Sequence, residues 1–280
     1  MKKKWIILCV LGGIALFLIS PRFPIVRSLS VMPIYSRYCA RDSIMEEENF
    51  ELEIPGGGAT EKTDWYPFVM TFTADREFAR YSGIDGAKLT ILYNFPAFSQ
   101  AHGCSRLFDG ASPYYNSFYG AYLISTPDGK PFFTTKDAQS LESAAALAAR
   151  FDFFELVLED FGLTSEQEVF ECTKETVSEN VRFAGYDGWS RMTASLLVNG
   201  AAHEREGFVG SYMQYGSPKF PAPVPFAPVQ MKCIIDARYF EEWNTTIFFY
   251  VMTPDKETAE ECEREILAKA KIAPSPAKLH

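Results

Sequence analysis

His102-Gly103-Cys104 is the most reactive-looking cluster in the chain, because a thiolate beside an imidazole is a nucleophile with its base. Neighbours in sequence need not face each other, however, and working Cys–His pairs are assembled from distant segments. The plainer assignment makes Cys104 half of a disulfide and leaves His102 exposed. A second histidine opens His203-Glu204-Arg205-Glu206. That run lacks the second histidine of a zinc-protease helix, and no Pro-Cys-x-x-Cys completes a deaminase site. A charged edge strand that discourages pairing is the economical reading. His102, His203 and His280 are the only histidines, so a histidine-based metal centre is short of ligands.

Gly56-Gly57-Gly58-Ala59-Thr60-Glu61-Lys62-Thr63 nearly spells a phosphate-binding loop. Glu61 stands where the second glycine belongs and aims a carboxylate at the phosphate position, while Pro67 breaks the helix that should follow. A polar turn between strands is therefore expected. No Gly-x-Ser-x-Gly occurs, which removes the α/β-hydrolase elbow. A pair of acids for glycoside chemistry can hide among 36 carboxylates. Asp109, Asp187 and Asp236 lie near aromatics, as do many bystanders. Tyr114, Tyr115, Phe118, Tyr119 and Tyr122, with Tyr212, Tyr215, Phe220 and Phe226, line either a ligand cleft or the core, and core is the simpler choice. Pro225-Phe226-Ala227-Pro228 fits P-x-x-P, whose usual readers are cytoplasmic. Asn244-Thr245-Thr246 is a glycosylation acceptor in a eukaryotic secretory route. No catalytic residue is assigned on this basis. His102, Cys104 and His203 stand as candidates, and neither cofactor nor metal is expected.

The elements that must position these residues follow from periodicity. Phe50-Glu51-Leu52-Glu53-Ile54 alternates and predicts a half-buried strand, ended by Pro55-Gly56-Gly57-Gly58. Phe68–Thr73, Lys88–Tyr93 and Phe118–Ile124 are rich in β-branched and aromatic residues and read as strands, the last closed by the turn Thr126-Pro127-Asp128-Gly129. Leu141, Ala144, Ala148, Phe151, Phe154, Leu158 and Phe161 recur every three or four residues and predict one long helix. The alternative is a break near Asp152 with strand from Phe154 to Leu158. Ser165-Glu166-Gln167-Glu168 reads as a capping box opening a second helix through Cys172.

Arg191–Val198, then Asn199-Gly200, then Ala201–Tyr215 reads as a hairpin, since both turn residues tolerate positive φ. Five prolines between Gly216 and Pro228 predict extended chain. Val229–Ile235 and Thr245–Met252 are apolar on both faces, as central covered strands are. Asp255 caps a final helix with the stripe Ala259, Cys262, Ile266, Leu267, Ala270, and Glu265 pairs with Lys269 on its wet side.

The chain is 47 per cent hydrophobic and 15 per cent aromatic, which excludes disorder as its main state. A net charge of −9 excludes a nucleic-acid partner, which needs a basic face. Six cysteines include Cys9 and the widely spaced Cys39, Cys104, Cys172, Cys233 and Cys262. Without a C-x-x-C they suit neither a zinc ribbon nor a thioredoxin-like site. In an oxidising compartment the last five permit two disulfides and one leftover thiol; in a reducing one they are core thiols.

Trp5 to Ile19 is an unbroken apolar run framed by Lys2-Lys3-Lys4 and Ser20-Pro21-Arg22. As a helix it rises about 22 Å at ~1.5 Å per residue, against a ~30 Å hydrocarbon core. No A-x-A follows it, which favours an uncleaved signal-anchor over a secreted product. The short lysine-rich tail places the large domain outside the cytoplasm. The expected architecture is α+β: a largely antiparallel sheet packed with two or three helices, preceded by one N-terminal transmembrane helix. Residues 1–22 form the anchor, 23–48 a juxtamembrane stalk, 49–272 a single extracytoplasmic domain and 273–280 a flexible tail. The membrane is met through residues 5–20. The expected role is non-catalytic binding of a protein or small molecule. Its rival is a hydrolase or transferase using Cys104 with His203 or a carboxylate pair.

Overall fold

Stretches dense in β-branched and aromatic residues alternate with shorter helical runs, and they assemble into a mixed α+β architecture around one large antiparallel sheet. The structure, a computed structural model, describes residues 2–19, 32–55, 68–95, 115–133, 140–159, 163–200, 203–205, 208–210 and 227–276. The chain begins with helices α1 (Lys2–Ile19), α2 (Met32–Cys39) and α3 (Ile44–Glu47), followed by strands β1 (Phe50–Glu53) and β2 (Phe68–Thr73). Helix α4 (Asp75–Ser82) leads to β3 (Lys88–Phe95) and β4 (Phe118–Ser125). Helix α5 (Leu141–Arg150) continues as a π-helix over Phe151–Leu158. Then come β5 (Phe170–Phe183), β6 (Tyr186–Asn199), β7 (His203–Arg205), β8 (Phe208–Gly210), β9 (Pro228–Phe240), β10 (Thr245–Thr253), α6 (Lys256–Glu265) and β11 (Lys271–Pro274).

The large sheet runs β2-β3-β4-β10-β9-β6-β5, with every pair antiparallel. All nine residues of β10 are buried, as expected for a central strand covered on both faces. Side chains alternate across a strand. Phe248, Tyr250 and Met252 therefore enter one layer, beneath α4, α5 and the π-helix, while Ile247, Phe249 and Val251 enter the other. That second layer holds α6, the β1–β11 ribbon and the β5–β6 turn, where Trp189 is fully buried and Phe50 stacks on Trp243 at 4.6 Å.

Several expected elements stand. Phe50 and Leu52 face inward while Glu51 and Glu53 face water. Asp255 caps α6 by accepting from the Thr258 backbone N–H at 2.8 Å, and Ala259, Cys262, Ile266, Leu267 and Ala270 are all buried, although the helix ends at Glu265 and a 3-10 turn over Leu267–Lys269 carries the end of the expected stripe. Leu141, Ala144, Ala148, Phe151, Phe154 and Leu158 all face the core, so the long helix forms and the alternative strand does not. Its second half widens to π geometry, with the Glu159 N–H donating to the Phe154 carbonyl at 2.9 Å. Phe153 is buried in the core together with Phe151 and Phe154.

Other expectations are corrected. The capping box is Thr164 with Gln167, one residue earlier than read, and it opens only a 3-10 turn over Ser165–Gln167. Residues from Phe170 onward form edge strand β5 instead of a helix. Asn199-Gly200 is not a hairpin turn: β6 pairs with β5 and β9, and β7 pairs separately with β8. The hairpin turn is Ala184-Gly185, with φ of 45° and 83° between paired Phe183 and Tyr186. Asn199 instead stitches the chain, its Oδ1 accepting from the Val169 N–H at 2.7 Å and its Nδ2 donating to the Gln167 carbonyl at 3.2 Å. The expected stalk is partly built into the fold. Helix α2 covers the free edge of β2, where Ser36 Oγ accepts the Thr71 N–H at 2.9 Å, and the Ile44 N–H donates to Thr90 Oγ1 at 3.0 Å. Residues 273 and 274, expected in a free tail, belong to β11 and pair with Glu51 and Phe50 of β1.

The expectation of a transmembrane helix is not supported: a helix, α1, forms at the expected place, but among the described residues no helix is long and apolar enough to cross a membrane.

Candidate functional site

His102 and Cys104 lie outside the described residues, as do the glycine-rich run 56–63, Asp109, Tyr114, Tyr212, Tyr215, Phe220, Phe226 and the prolines of 216–226. His203 begins β7 in its small ribbon with β8, apart from the large sheet's hydrogen-bond ladder. Phe118, Tyr119 and Tyr122 are core residues, so this part of the aromatic stretch lines no open cleft. Asp187 is exposed and paired with Arg182 at 3.1 Å. In the sequon, Asn244 has φ of 45° and its Nδ2 donates to the Thr126 carbonyl at 3.2 Å, so its amide is engaged in a turn. Cys9, Cys39, Cys172, Cys233 and Cys262 are free thiols, and burial pushes Cys233 and Cys262 well above the usual thiol range. Neither buried thiol is a ready nucleophile. Among the described residues no group of histidine, cysteine and carboxylate side chains has the arrangement to hold a metal ion.

Two buried carboxylates carry the chemistry that remains. On the helical side of the sheet, Gly120 of β4 is paired with Tyr93 of β3 and Tyr250 of β10. Its missing side chain leaves room in that row for aromatic rings. Tyr122 and Tyr250 stack there at 4.5 Å, and Tyr93 Oη donates to Met70 Sδ at 3.2 Å. A Cβ on Gly120 falls 1.8 Å from the Leu92 carbonyl oxygen, so only glycine fits. The first turn of the π-helix lowers Asp152 onto this floor, where Tyr122 Oη donates to Asp152 Oδ2 at 2.8 Å.

Asp152 keeps some exposed surface, yet its carboxyl is enclosed by protein. Burial pushes it up to about 6, against the opposing pull of the Tyr122 hydrogen bond. Burial also holds Tyr122 and Tyr250 well above the ordinary phenol value, so both stay protonated donors. The cluster can store or release one proton near neutrality, with a phenol that holds the carboxylate in place.

On the opposite layer, Arg191 of β6 clamps Asp236 of β9 through Nε at 2.8 Å and Nη2 at 3.1 Å, and its Nη2 also reaches Glu263 of α6 at 2.6 Å. The guanidinium lies 5.4 Å from the Phe183 ring centre. Asp236 is also pushed up to about 6 by burial, with Arg191 opposing. This triad binds strand, strand and helix together.

Sequence reasoning singled out Asp236 only as a bystander, and it missed Asp152 and Arg191. The available signal was an acid set inside an apolar run: Phe151-Asp152-Phe153-Phe154 and Ile234-Ile235-Asp236-Ala237. An open groove of about 590 Å³ lies beside α4, lined by Asp75, Arg76, Arg80, Asp85 and Lys88. Arg76 is already paired with Glu77, and Lys88 with Glu47.

The described surface has one further anomaly. Its exposed large apolar side chains are Trp5, Ile6, Ile7, Leu8, Val10, Leu11, Ile14, Leu16 and Phe17 on α1, then Ile34, Tyr35 and Tyr38 on α2, and Val177. All but Val177 fall within the first 38 residues. Among the described residues no other large apolar side chain is exposed.

Comparison with known proteins adds no identity: no family model, no curated protein and no solved structure matches this chain.

Proposed function

We propose that the protein is a membrane-tethered binding domain, held at the bilayer by α1 and carried outside the cytoplasm, with recognition rather than catalysis as its role. The observation that carries this reading is the concentration of exposed apolar side chains on α1, on all sides of the helix. Burying each one gains about 1.5–3 kcal/mol, so such a helix in water calls for a cover. The apolar part rises about 22 Å, less than the ~30 Å core, so the tether needs local thinning of the bilayer and outward reach by Lys4. Three lysines on one side of α1 are nearly balanced by Arg22, Arg27 and Arg37 on the other, and the orientation rests on a very short lysine-rich tail ordinarily staying cytoplasmic. Support for recognition comes from the internal commitment of the buried acids: Asp236 to Arg191 and Asp152 to Tyr122.

Alkaline carbonate extraction of membranes expressing the full chain tests the tether, alongside a variant lacking residues 1–22. The full chain is expected in the pellet and the shortened one in the supernatant. Release of an uncleaved full chain overturns the reading. A thiol-reactive probe tests the role: strong, pH-dependent labelling of Cys104 that His203→Ala abolishes replaces recognition with nucleophilic catalysis.

A further inference from the structure

Helix α2 has two faces with different tasks. Ser36 points inward and caps the β2 edge. Ile34 and Tyr38, one helical turn apart, point outward with exposures of 70 and 63 per cent, and Tyr35 flanks them at 45 per cent. Arg37 is exposed on the same side, and the Arg41 guanidinium lies 5.8 Å over the Tyr38 ring. An aliphatic anchor, two phenols and two guanidiniums on one short surface suit the boundary between hydrocarbon and lipid headgroups, where amphipathic rings and cations both find partners.

The charge distribution names the lipid. Residues 20–41 contain Arg22, Arg27, Arg37 and Arg41 and no acid, whereas the whole chain carries −9. In an acidic chain this segment, which ends at Asp42, is a local run of positive charge, and each arginine near an anionic surface contributes about 1 kcal/mol of attraction. Twelve residues separate α1 from α2. Extended, they reach at most about 40 Å, so α2 stays within range of the bilayer that α1 enters.

We propose that the outer face of α2 is a second membrane contact, seated on anionic phospholipid headgroups through Ile34, Tyr35, Tyr38, Arg37 and Arg41. This rests on the tether reading above and adds an orientation to it. The β2 edge of the sheet lies against the lipid, and the β5 edge points away.

The test uses the full chain reconstituted into vesicles of phosphatidylcholine alone or mixed with phosphatidylglycerol, each doped with a lipid carrying a shallow spin-label quencher. Two variants, Ile34→Trp and Val177→Trp, each add an indole at an exposed site, and the wild-type signal is subtracted. The added indole at position 34 is expected to be quenched several-fold more than that at 177, and more strongly in the anionic vesicles. Equal weak quenching at both positions, in protein that floats with the vesicles, overturns the α2 contact and leaves the tether standing. A blue-shifted but unquenched indole at position 34 overturns it in favour of a protein partner, here a second copy. Quenching indifferent to phosphatidylglycerol overturns the headgroup assignment. Protein that fails to float overturns both readings together.

Discussion

Replacing Asp152 by asparagine tests the buried proton site directly. The carboxyl is pushed from the usual aspartate value of 3.8 to about 6 because burial penalises its charge more than Tyr122 rewards it. A group whose folded value is raised contributes stability that is fully present below its unfolded value and is lost as pH rises through the folded one. The loss therefore runs over the window from about pH 4 to beyond pH 6, and at about pH 8 the ionised Asp152 costs the fold about 3 kcal/mol, at ~1.36 kcal/mol per pH unit. Asparagine keeps an oxygen to accept from Tyr122 Oη and carries no charge to desolvate. Asp152→Asn is thus expected to stabilise the fold by about 2–3 kcal/mol at about pH 8, which in a chain of this size raises Tm by roughly 5–10 °C. At about pH 4 the gain should vanish, because the wild-type carboxyl is then protonated as well. Thermal melts of both proteins in detergent, followed by near-ultraviolet circular dichroism, read this difference. Destabilisation that is larger at about pH 8 than at about pH 4 refutes the reasoning, since it means that the carboxylate's hydrogen bond outweighs its desolvation.

Three further outcomes are expected. Gly120→Ala places a methyl group 1.8 Å from the Leu92 carbonyl oxygen, with backbone that cannot yield, and should cost more than about 4 kcal/mol and leave little folded protein by circular dichroism. Arg191→Met strands Asp236 as a buried, unpaired charge and should cost about 3–5 kcal/mol near neutral pH in urea unfolding, while adding Asp236→Leu should recover most of the loss. The Arg191→Met deficit should shrink as pH falls toward about 6, because without the opposing guanidinium Asp236 takes up its proton at higher pH than in the wild type. Ser36→Ala deprives the buried Thr71 N–H of its acceptor and should cost about 1–3 kcal/mol, with faster hydrogen exchange at that amide.

The parts of the fold legible in sequence are those whose burial is simple. Strands β4 and β10 are rich in aromatic and β-branched residues and buried along their whole length, and β1 alternates strictly, so composition and period agree with position. The Leu141–Leu158 stripe and the Asp255 cap were equally plain. Strand β5 was not, because as an edge strand it is wet on most positions and carries Glu171, Lys174, Glu175 and Glu179 where a core strand has apolar residues. A capping-box pattern just before it read as the start of a helix through Cys172. The Asn199-Gly200 signal misled because strand pairing is decided by distant partners: β6 lies between β5 and β9, leaving no place for residues after 200 beside it. Helix α2 looked like stalk because nothing local reveals that the Thr71 N–H, 35 residues on, needs Ser36. Of the candidate chemistry, Asp152 was hidden by its neighbours. Three phenylalanines around it read as core, and only π geometry shows that the acid between them also turns inward.

The β1–β11 ribbon joins Phe50 to Pro274 and Leu52 to Ile272. In the same way β10 enters the sheet beside β4, more than a hundred positions earlier in the chain. During synthesis neither β1 nor β4 can shield its apolar side chains until those late segments have emerged. The nascent protein must therefore wait with half-finished edges showing, a state open to chaperones and to aggregation alike.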